Sequence, residues 1–221
     1  MIDKTKKLVV LMPPKTASNS IRSLLEQNGY FFSKDSNKPN YPQIHLKLSE
    51  IVQLYYIVDL SDYKIIQVTR NPYHRYVSSF FYQKRIVPPN YNIKFQNYNL
   101  EQFSKHLLDS KNSGNFIENF YGDSTFVDYT ISNGISWGGT RFYDKQVDWN
   151  DLGMEVKYFK LEEIIKDVSE LQDYLNLSVK NIPLINSQGL TLDYLSLITP
   201  QIKDTVVELF KEDFEKLNYS Q

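Results

Sequence analysis

A short polar segment near the start of the chain carries one lysine among hydroxyl and amide side chains. Residues 13–20 read PPKTASNS. The residues after Lys15 offer hydroxyl, amide and backbone donors: Thr16, Ala17, Ser18, Asn19 and Ser20. An ammonium group and several N–H and O–H donors in one turn are suited to holding an anion, most simply a phosphate. An ordinary helix N-cap beside a solvated lysine is the alternative that this segment leaves open.

A second segment with anion-binding chemistry begins at Arg70. Arg70 and Ser78 lie eight positions apart, a spacing that two turns of helix can bridge when the helix runs along a ligand. Between Lys64 and Leu100 there are six basic residues and no Asp or Glu, although the whole chain has a net charge of −1. This local excess indicates a site for a multiply charged anion, with a solvated basic face as the alternative.

Both segments follow short runs that have the length and composition of strands. Leu8–Met12 is a continuous apolar run, typical of a central parallel strand, and Lys64–Thr69 is rich in β-branched residues. Apolar spacing after Ser20 predicts a helix, and Asn71 and Pro72 suit the N-cap and first turn of another. This alternation of strands and helices predicts an α/β fold with a central parallel sheet. Ligand sites in such sheets lie at the carboxyl ends of the strands, where both segments begin.

The order of these motifs resembles that of the sulfotransferases that depend on 3′-phosphoadenosine-5′-phosphosulfate (PAPS), most closely their carbohydrate branch. A strand ending in PKTxxxS precedes a strand ending in RNPxxRxxS, and the similarity continues to the end of the chain. The later landmarks are an Asn-Ser turn and, on and after a long helix, Asp, Phe and Tyr: Asn186, Ser187, Asp213, Phe214 and Tyr219. The resemblance implies a three-layer fold related to that of nucleotide kinases.

The resemblance also implies how the first segment would bind the cofactor. Lys15 would touch the oxygen that bridges phosphorus and sulfur. The rest of the turn would hold the 5′-phosphosulfate: Thr16, Ala17, Ser18, Asn19 and Ser20. The family more often has glycine where this chain has Ala17, and Asn19 replaces a usual hydroxyl residue.

Further cofactor contacts are implied at three other places in the chain. Arg70 and Ser78 would hold the 3′-phosphate. Asn186 and Ser187 are assigned to the same cofactor site. The product would be the bisphosphate PAP, and no metal ion is expected to take part.

A catalytic base is needed because an acceptor hydroxyl loses its proton during transfer. His45 lies between the two anion-binding segments, where members of the carbohydrate branch similarly carry a base histidine. A loop histidine packed on Tyr41 or Leu46 is the alternative, and Glu50 is the reserve candidate for the base. The remaining histidines are expected to be solvated: His74 and His106.

The resemblance implies metal-free, in-line transfer of a sulfuryl group from PAPS to a hydroxyl of an acceptor, expected to be a carbohydrate or glycoconjugate. A nucleotide or small-molecule kinase is one alternative, but the turn lacks the GK[ST] ending of a nucleoside-triphosphate loop. A non-catalytic binder of nucleotides or polyanions is the other. It would keep the basic residues without using Lys15 or His45 in catalysis.

Length and composition limit the remaining choices. A chain of 221 residues predicts one domain over residues 1–221. The absence of cysteine excludes disulfides and thiolate metal sites. The near-neutral charge and the lack of a recognisable reading module argue against nucleic-acid binding. The early apolar run is too short for a membrane span or signal core, so a cytoplasmic location is expected.

The rest of the chain is predicted to be scaffold. Val156–Leu161 has a strand pattern and is followed by one predicted helix over residues 162–175. That helix has four apolar residues on its expected core face: Ile164, Ile165, Val168 and Leu171. Thr199 and Pro200 suit the start of a terminal helix, whose apolar stripe is expected to pack on the sheet, with a dimer contact as the alternative.

Overall fold

The chain divides into two units, the first built around a β-sheet and the second from helices. The first comprises Met1–Asn71 with Gln146–Gln188, and the second Pro72–Lys145 with Gly189–Gln221. The computed structural model describes residues 1–33, 45–86, 93–113, 120, 141–178 and 194–221. Asn186 and Ser187 therefore lie outside the described residues. The prediction of a single domain over residues 1–221 stays a prediction.

Strands and helices are numbered in chain order within the described residues. The strands are β1 (Ile2–Asp3), β2 (Leu8–Leu11), β3 (Lys64–Thr69) and β4 (Lys157–Lys160). The α-helices are α1 (Ser18–Gln27), α2 (Leu48–Leu54), α3 (Pro72–Ile86), α4 (Leu100–Asn112), α5 (Leu161–Lys166), α6 (Ser169–Leu175) and α7 (Pro200–Lys216). Single turns of 3₁₀ helix occur at Lys94–Asn97, Gln146–Trp149 and Tyr194–Leu197.

The sheet of the first unit has the strand order β1-β2-β3-β4. β2 pairs in parallel with β3, and β3 pairs in parallel with β4, whereas β1 is an antiparallel edge strand beside β2. In this register Leu8 lies opposite Lys64, and Thr69 lies opposite Lys160. The predicted α/β fold is confirmed, with the correction that β1 makes the parallel sheet a mixed one.

Apolar side chains cover both faces of this sheet, which explains the uninterrupted apolar run of β2. One face, with Val10 and Val68 from the strands, packs against α1, α5 and α6. The other face, with Val9 and Ile65, packs against α2 through Leu48 and its neighbours. The first unit is therefore the predicted three-layer arrangement of helix, sheet and helix.

The predicted helix over residues 162–175 is in fact two helices. Asp167 separates α5 from α6 with an extended φ of −149°, and its Oδ1 accepts the Ser169 N–H at 2.9 Å. This local side-chain bond competes with a continuous helix and starts a new one. The buried face of α5 carries Leu161 and Ile164, so Ile165 is exposed where the pattern predicted a core residue.

The second unit has an aromatic core formed by α3, α4 and α7. Phe103 of α4 lies at its centre, with ring-centroid distances of 4.9 Å to Phe80 and 5.3 Å to Phe95. The buried hydroxyl of Tyr76 donates to Ser104 Oγ at 2.8 Å, and burial raises the pKa of Tyr76. These contacts bury large aromatic surfaces while keeping a phenol hydroxyl paired.

The terminal helix α7 begins as predicted but packs elsewhere. The Thr199 hydroxyl accepts the Ile202 N–H at 3.4 Å, and Pro200 occupies the first turn. The apolar stripe of α7, which includes Val206 and Phe210, belongs to the aromatic core of the second unit. The expectation that α7 packs on the sheet is wrong, because periodicity identifies an apolar face but not the surface that covers it.

Candidate active site at the carboxyl ends of the strands

The turn after β2 has an unusual backbone. Lys15 and Ala17 have positive φ values of 71° and 60°, whereas Thr16 between them does not. Alternation of this kind directs successive N–H groups into one concavity, which is a common way of building an anion site. The Thr16 side chain is buried, and its hydroxyl donates to the Pro13 carbonyl at 2.7 Å. Thr16 therefore stabilises the turn, and its backbone N–H is the group left for an anion.

Helix α1 starts directly after this turn and adds a favourable dipole. Its N-cap is Ala17, which has no side chain able to cap the helix, and its first turn contains no acidic residue. The N–H groups of a helix's first turn have no partner within the helix, so this end is suited to an anion. Ser18 and Asn19 are half-buried, whereas Ser20 is buried.

Arg70 follows β3 and reaches the same turn. Its Nη1 donates to the Lys15 carbonyl at 3.2 Å, so the anchors of the two predicted anion-binding segments are in direct contact. Both residues are half-buried. The contact arises because β2 and β3 are parallel neighbours whose carboxyl ends lie at one edge of the sheet.

Two side chains from later in the chain hold the backbone after β3. Gln146 Oε1 accepts the Arg70 N–H at 2.8 Å, and Gln146 Nε2 donates to the Arg70 carbonyl at 2.8 Å. Glu162 Oε1 accepts the Asn71 N–H at 2.8 Å. Neither residue was identified as part of the site from the sequence. Their partners are backbone atoms, which no motif marks, and they lie 76 and 91 positions away.

His45 lies beside the same edge of the sheet. Its Nδ1 is 2.6 Å from the carbonyl oxygen of Met12, the residue after β2, and its ring packs edge-on against Trp149 at 6.4 Å. Because a carbonyl oxygen only accepts, Nδ1 must carry the proton, and in a neutral ring Nε2 then holds the lone pair. This tautomer suits a general base. Trp149 was not identified from the sequence as a contact of His45.

Glu50, the reserve candidate for the base, has a structural contact. It is the third residue of α2, and its Oε2 accepts the Lys47 N–H at 2.7 Å in a capping box. Such a bond satisfies a helix-terminal N–H group. The neighbouring Ser49 is also hydrogen-bonded, because its hydroxyl donates to Asp151 Oδ2 at 2.5 Å.

The remaining predicted residues lie in the second unit or outside the described residues. Ser78 and His74 are half-buried positions of α3. The prediction that His106 is a solvated side chain is wrong: it is half-buried, its Nε2 lies 2.8 Å from the Phe120 carbonyl, and its ring stacks on that of Phe120 at 5.4 Å. Asn186 and Ser187 lie outside the described residues.

Comparison with known proteins identifies the class of this protein. A family model described as the sulfotransferase family matches residues 1–220. The chain belongs to the sulfotransferase family. The predicted enzyme class, a PAPS-dependent sulfotransferase, is thereby confirmed. No curated protein sequence matches the chain significantly.

Two solved structures are similar to this chain. The chain is similar to mouse sulfotransferase SULT7A1 complexed with PAP, with 15% identity and a TM-score of 0.51 over 97% of this chain and 86% of that chain. It is also similar to a sulfotransferase from Alicyclobacillus acidocaldarius, with 14% identity and a TM-score of 0.45 over 96% and 94% of the two chains. The first of these likenesses supports the predicted fold.

The described residues contain no group of three or more His, Cys, Asp or Glu side chains that could hold a metal ion. Within the same ranges, no helix has the length and apolar character to cross a membrane. Metal independence, the cytoplasmic location and the carbohydrate acceptor stay predictions.

Proposed function

We propose that this sulfotransferase transfers the sulfuryl group of PAPS to a hydroxyl group of a carbohydrate or glycoconjugate. The observation that carries the proposal is the hydrogen bond between Arg70 Nη1 and the Lys15 carbonyl. It joins the two segments whose residue types predicted separate phosphate sites. A donor with a phosphosulfate and a distinct 3′-phosphate fits a paired site of this kind.

The turn at Lys15 is suited to the phosphosulfate end of the donor. When bound, PAPS supplies a sulfuryl group already activated by its phosphate leaving group. The backbone of the Lys15–Ala17 turn and the first turn of α1 hold N–H groups at this end of the strand. The Lys15 ammonium adds a positive charge where negative charge develops on the leaving oxygen. Such preorganised donors lower the barrier because they need little rearrangement during transfer.

Arg70 is the residue that we assign to the 3′-phosphate. Its guanidinium remains positively charged at every physiological pH and presents several N–H donors in a planar fork. One of these is used by the Lys15 carbonyl, which orients the group towards the turn. Ser78, Asn186 and Ser187 complete the proposed cofactor contacts on the basis of the family resemblance.

His45 is proposed to remove the proton from the acceptor hydroxyl. The Met12 carbonyl holds its Nδ1 proton and leaves Nε2 as the nitrogen that accepts a proton. Trp149, which is fully buried, packs against the ring and restricts its orientation. A base held in this way needs only one nitrogen exposed to the acceptor. The carbohydrate acceptor itself is proposed from the resemblance to the carbohydrate branch.

Thermal unfolding with three nucleotides tests this function. Adenosine 3′,5′-bisphosphate, adenosine 5′-monophosphate and magnesium ATP are added separately to the wild type, to Arg70→Ala and to the control Arg85→Ala, whose side chain is exposed on α3. A ligand at a hundredfold excess over its Kd stabilises by about 2.7 kcal/mol, which is a shift of several degrees. We expect this shift with the bisphosphate in the wild type and the control, and its loss in Arg70→Ala. A shift with magnesium ATP alone would contradict the proposal.

A further inference from the structure

A single buried glutamine holds the backbone of Arg70 at both of its hydrogen-bonding groups. Gln146 is fully buried, and its Oε1 and Nε2 contact the Arg70 N–H and carbonyl, each at 2.8 Å. The pairing of β3 with β4 ends at Thr69 and Lys160, one residue before Arg70. The side-chain amide of Gln146 therefore takes the place that another strand would occupy next to Arg70.

Gln146 is in turn fixed from the centre of the sheet. Gln67, a fully buried residue of β3, donates from Nε2 to the Gln146 carbonyl at 2.7 Å. The hydrogen bonds therefore run from Gln67 to Gln146, from Gln146 to Arg70, and from Arg70 to Lys15. Each step lies in the first unit, and the last two steps end on residues assigned to the cofactor.

We propose that Gln146 is a positioning residue for the 3′-phosphate of the donor and acts through Arg70, an inference that rests on the proposed function. The planar guanidinium fork recognises a phosphate only in a restricted orientation. The direction of the Arg70 side chain depends on its backbone, and Gln146 fixes that backbone at two points. Both polar atoms of the Gln146 amide contact Arg70, the residue whose guanidinium we assign to the 3′-phosphate.

A purely structural role for Gln146 predicts a different outcome from a positioning role. Loss of a structural residue lowers stability and affects all nucleotides alike. Loss of a positioning residue weakens the contact to the 3′-phosphate, which adenosine 5′-monophosphate does not have. The ratio of the two affinities therefore separates the roles, even in a variant that is less stable.

The experiment measures the Kd of adenosine 3′,5′-bisphosphate and of adenosine 5′-monophosphate for the wild type, Gln146→Met and Arg70→Ala. Methionine keeps the length of glutamine but makes neither hydrogen bond. We expect Gln146→Met to lose about tenfold in affinity for the bisphosphate, with the affinity for the monophosphate unchanged. The double variant should lose no more than Arg70→Ala alone, because Gln146 acts through Arg70.

Gln83→Met is the matched control. It replaces another buried glutamine, which lies on α3 and outside the hydrogen bonds that run from Gln67 to Lys15, by the same residue. The preference for the bisphosphate should stay within about twofold of the wild type. An equal loss in Gln83→Met and Gln146→Met, or a loss in Gln146→Met that is the same for both nucleotides, would overturn the inference.

Turnover gives a second readout and separates this inference from the proposed function. In Gln146→Met the KM for PAPS should rise about tenfold while kcat changes little, because the 3′-phosphate is remote from the sulfur. If kcat falls and KM does not, the positioning role is wrong. If the wild type binds the bisphosphate and the monophosphate equally, the proposed function is wrong, and the proposed role of Gln146 is wrong as well. A wild-type preference that Arg70→Ala removes and Gln146→Met keeps contradicts the inference alone.

Discussion

The strand ends of the sheet unit and the core of the helical unit are held together by different kinds of contact. At the strand ends of the sheet unit, side-chain hydrogen bonds fix backbone groups, as Gln146 does for Arg70 and Glu162 does for Asn71. In the helical unit, rings pack against rings, and Phe103 touches several aromatic neighbours within 5–6 Å. Hydrogen bonds are directional, whereas apolar packing depends mainly on volume and area.

This difference in contacts predicts that the strand ends determine binding and turnover, whereas the aromatic core determines stability. Directional contacts at the strand ends determine where charged groups point, so their loss should change binding and turnover more than unfolding. Aromatic packing has no such direction, so its loss should appear first in the free energy of unfolding. Substitutions of similar size in the two units should therefore have different effects.

The largest expected effect is on turnover, in His45→Ala. General-base catalysis contributes roughly a thousandfold, so kcat should fall by that factor, equivalent to about 4 kcal/mol of barrier. The variant should still bind adenosine 3′,5′-bisphosphate, since the Met12 carbonyl that His45 contacts is a backbone group and the residues assigned to the cofactor are unchanged. Transfer of radiolabelled sulfur from PAPS to a mixed glycan pool measures the loss. His74→Ala, another half-buried histidine, is the control and should keep the wild-type rate.

Unchanged transfer in His45→Ala would remove His45 from the mechanism. Glu50 would then be the next residue to test. Since its carboxylate caps α2, Glu50→Gln, which keeps an oxygen for the Lys47 N–H, is the appropriate variant.

The next effect in size is on stability, in Phe103→Ala. Phe103 is fully buried, and removal of its ring leaves a cavity among its aromatic neighbours, which should cost about 3–4 kcal/mol of unfolding free energy. Chemical denaturation measures this cost. Phe31→Ala, at an exposed phenylalanine of the sheet unit, should change stability by less than about 0.5 kcal/mol.

Hydrogen exchange in Phe103→Ala also tests the prediction of a single domain. If both units unfold together, the amides of β2 and β3 lose protection by the same free energy as those of α4. Loss of protection confined to the helical unit would mean that the two units unfold separately.

The sequence predicted the strands of the sheet better than it predicted the contacts around them. The apolar runs of β2 and β3 are unambiguous because both faces of these strands are buried. Lys15 lies four residues after β2 and Arg70 directly follows β3, so topology alone places them at one edge. The two-residue strand β1 is too short to show a pattern, and the break at Asp167 depends on one local hydrogen bond.

The rest of the site depends on long-range contacts to backbone atoms. Gln146 lies in a stretch without periodicity, and its bonds to Arg70 depend on the fold and not on the side chain at position 70. Glu162 was assigned to a scaffold helix for the same reason. The left-handed backbone at Lys15 and Ala17 was signalled only by the family's usual glycine at position 17.

A smaller effect on turnover is expected when the positive charge of Lys15 is removed from the turn. Lys15→Ala should raise the barrier to transfer by about 3 kcal/mol, the usual cost of losing one preorganised donor. Unfolding should change little, because the Lys15 side chain is half-buried and Arg70 contacts its carbonyl, which alanine retains. Lys64→Ala removes an equal charge at the opposite end of β3 and should keep the wild-type kcat. Equal losses in the two variants would attribute the effect to overall charge.

The smallest expected effect is a gain in stability, in Ala17→Gly. Ala17 has φ 60° and ψ 36°, a left-handed conformation that costs a residue with a Cβ roughly 1–2 kcal/mol. Glycine removes this cost but loses more entropy on folding, so a net stabilisation of about 0.5–1 kcal/mol should remain. Thermal or chemical denaturation measures it.

Ser23→Gly, in the interior of the same helix, gives the opposite sign. There the backbone is helical, so glycine adds entropy to the unfolded chain, and it also removes the exposed hydroxyl that accepts from Gln27 Nε2 at 3.3 Å. The variant should be destabilised by about 0.5–1 kcal/mol. If both glycine variants destabilise, Ala17 is not left-handed, and the argument that the turn directs its N–H groups into one concavity fails. Opposite signs would show that the turn stores strain at the position where the resemblance leads one to expect glycine. Backbone strain would then be a property of the anion-binding edge, whereas the aromatic core of the helical unit is stabilised by packing.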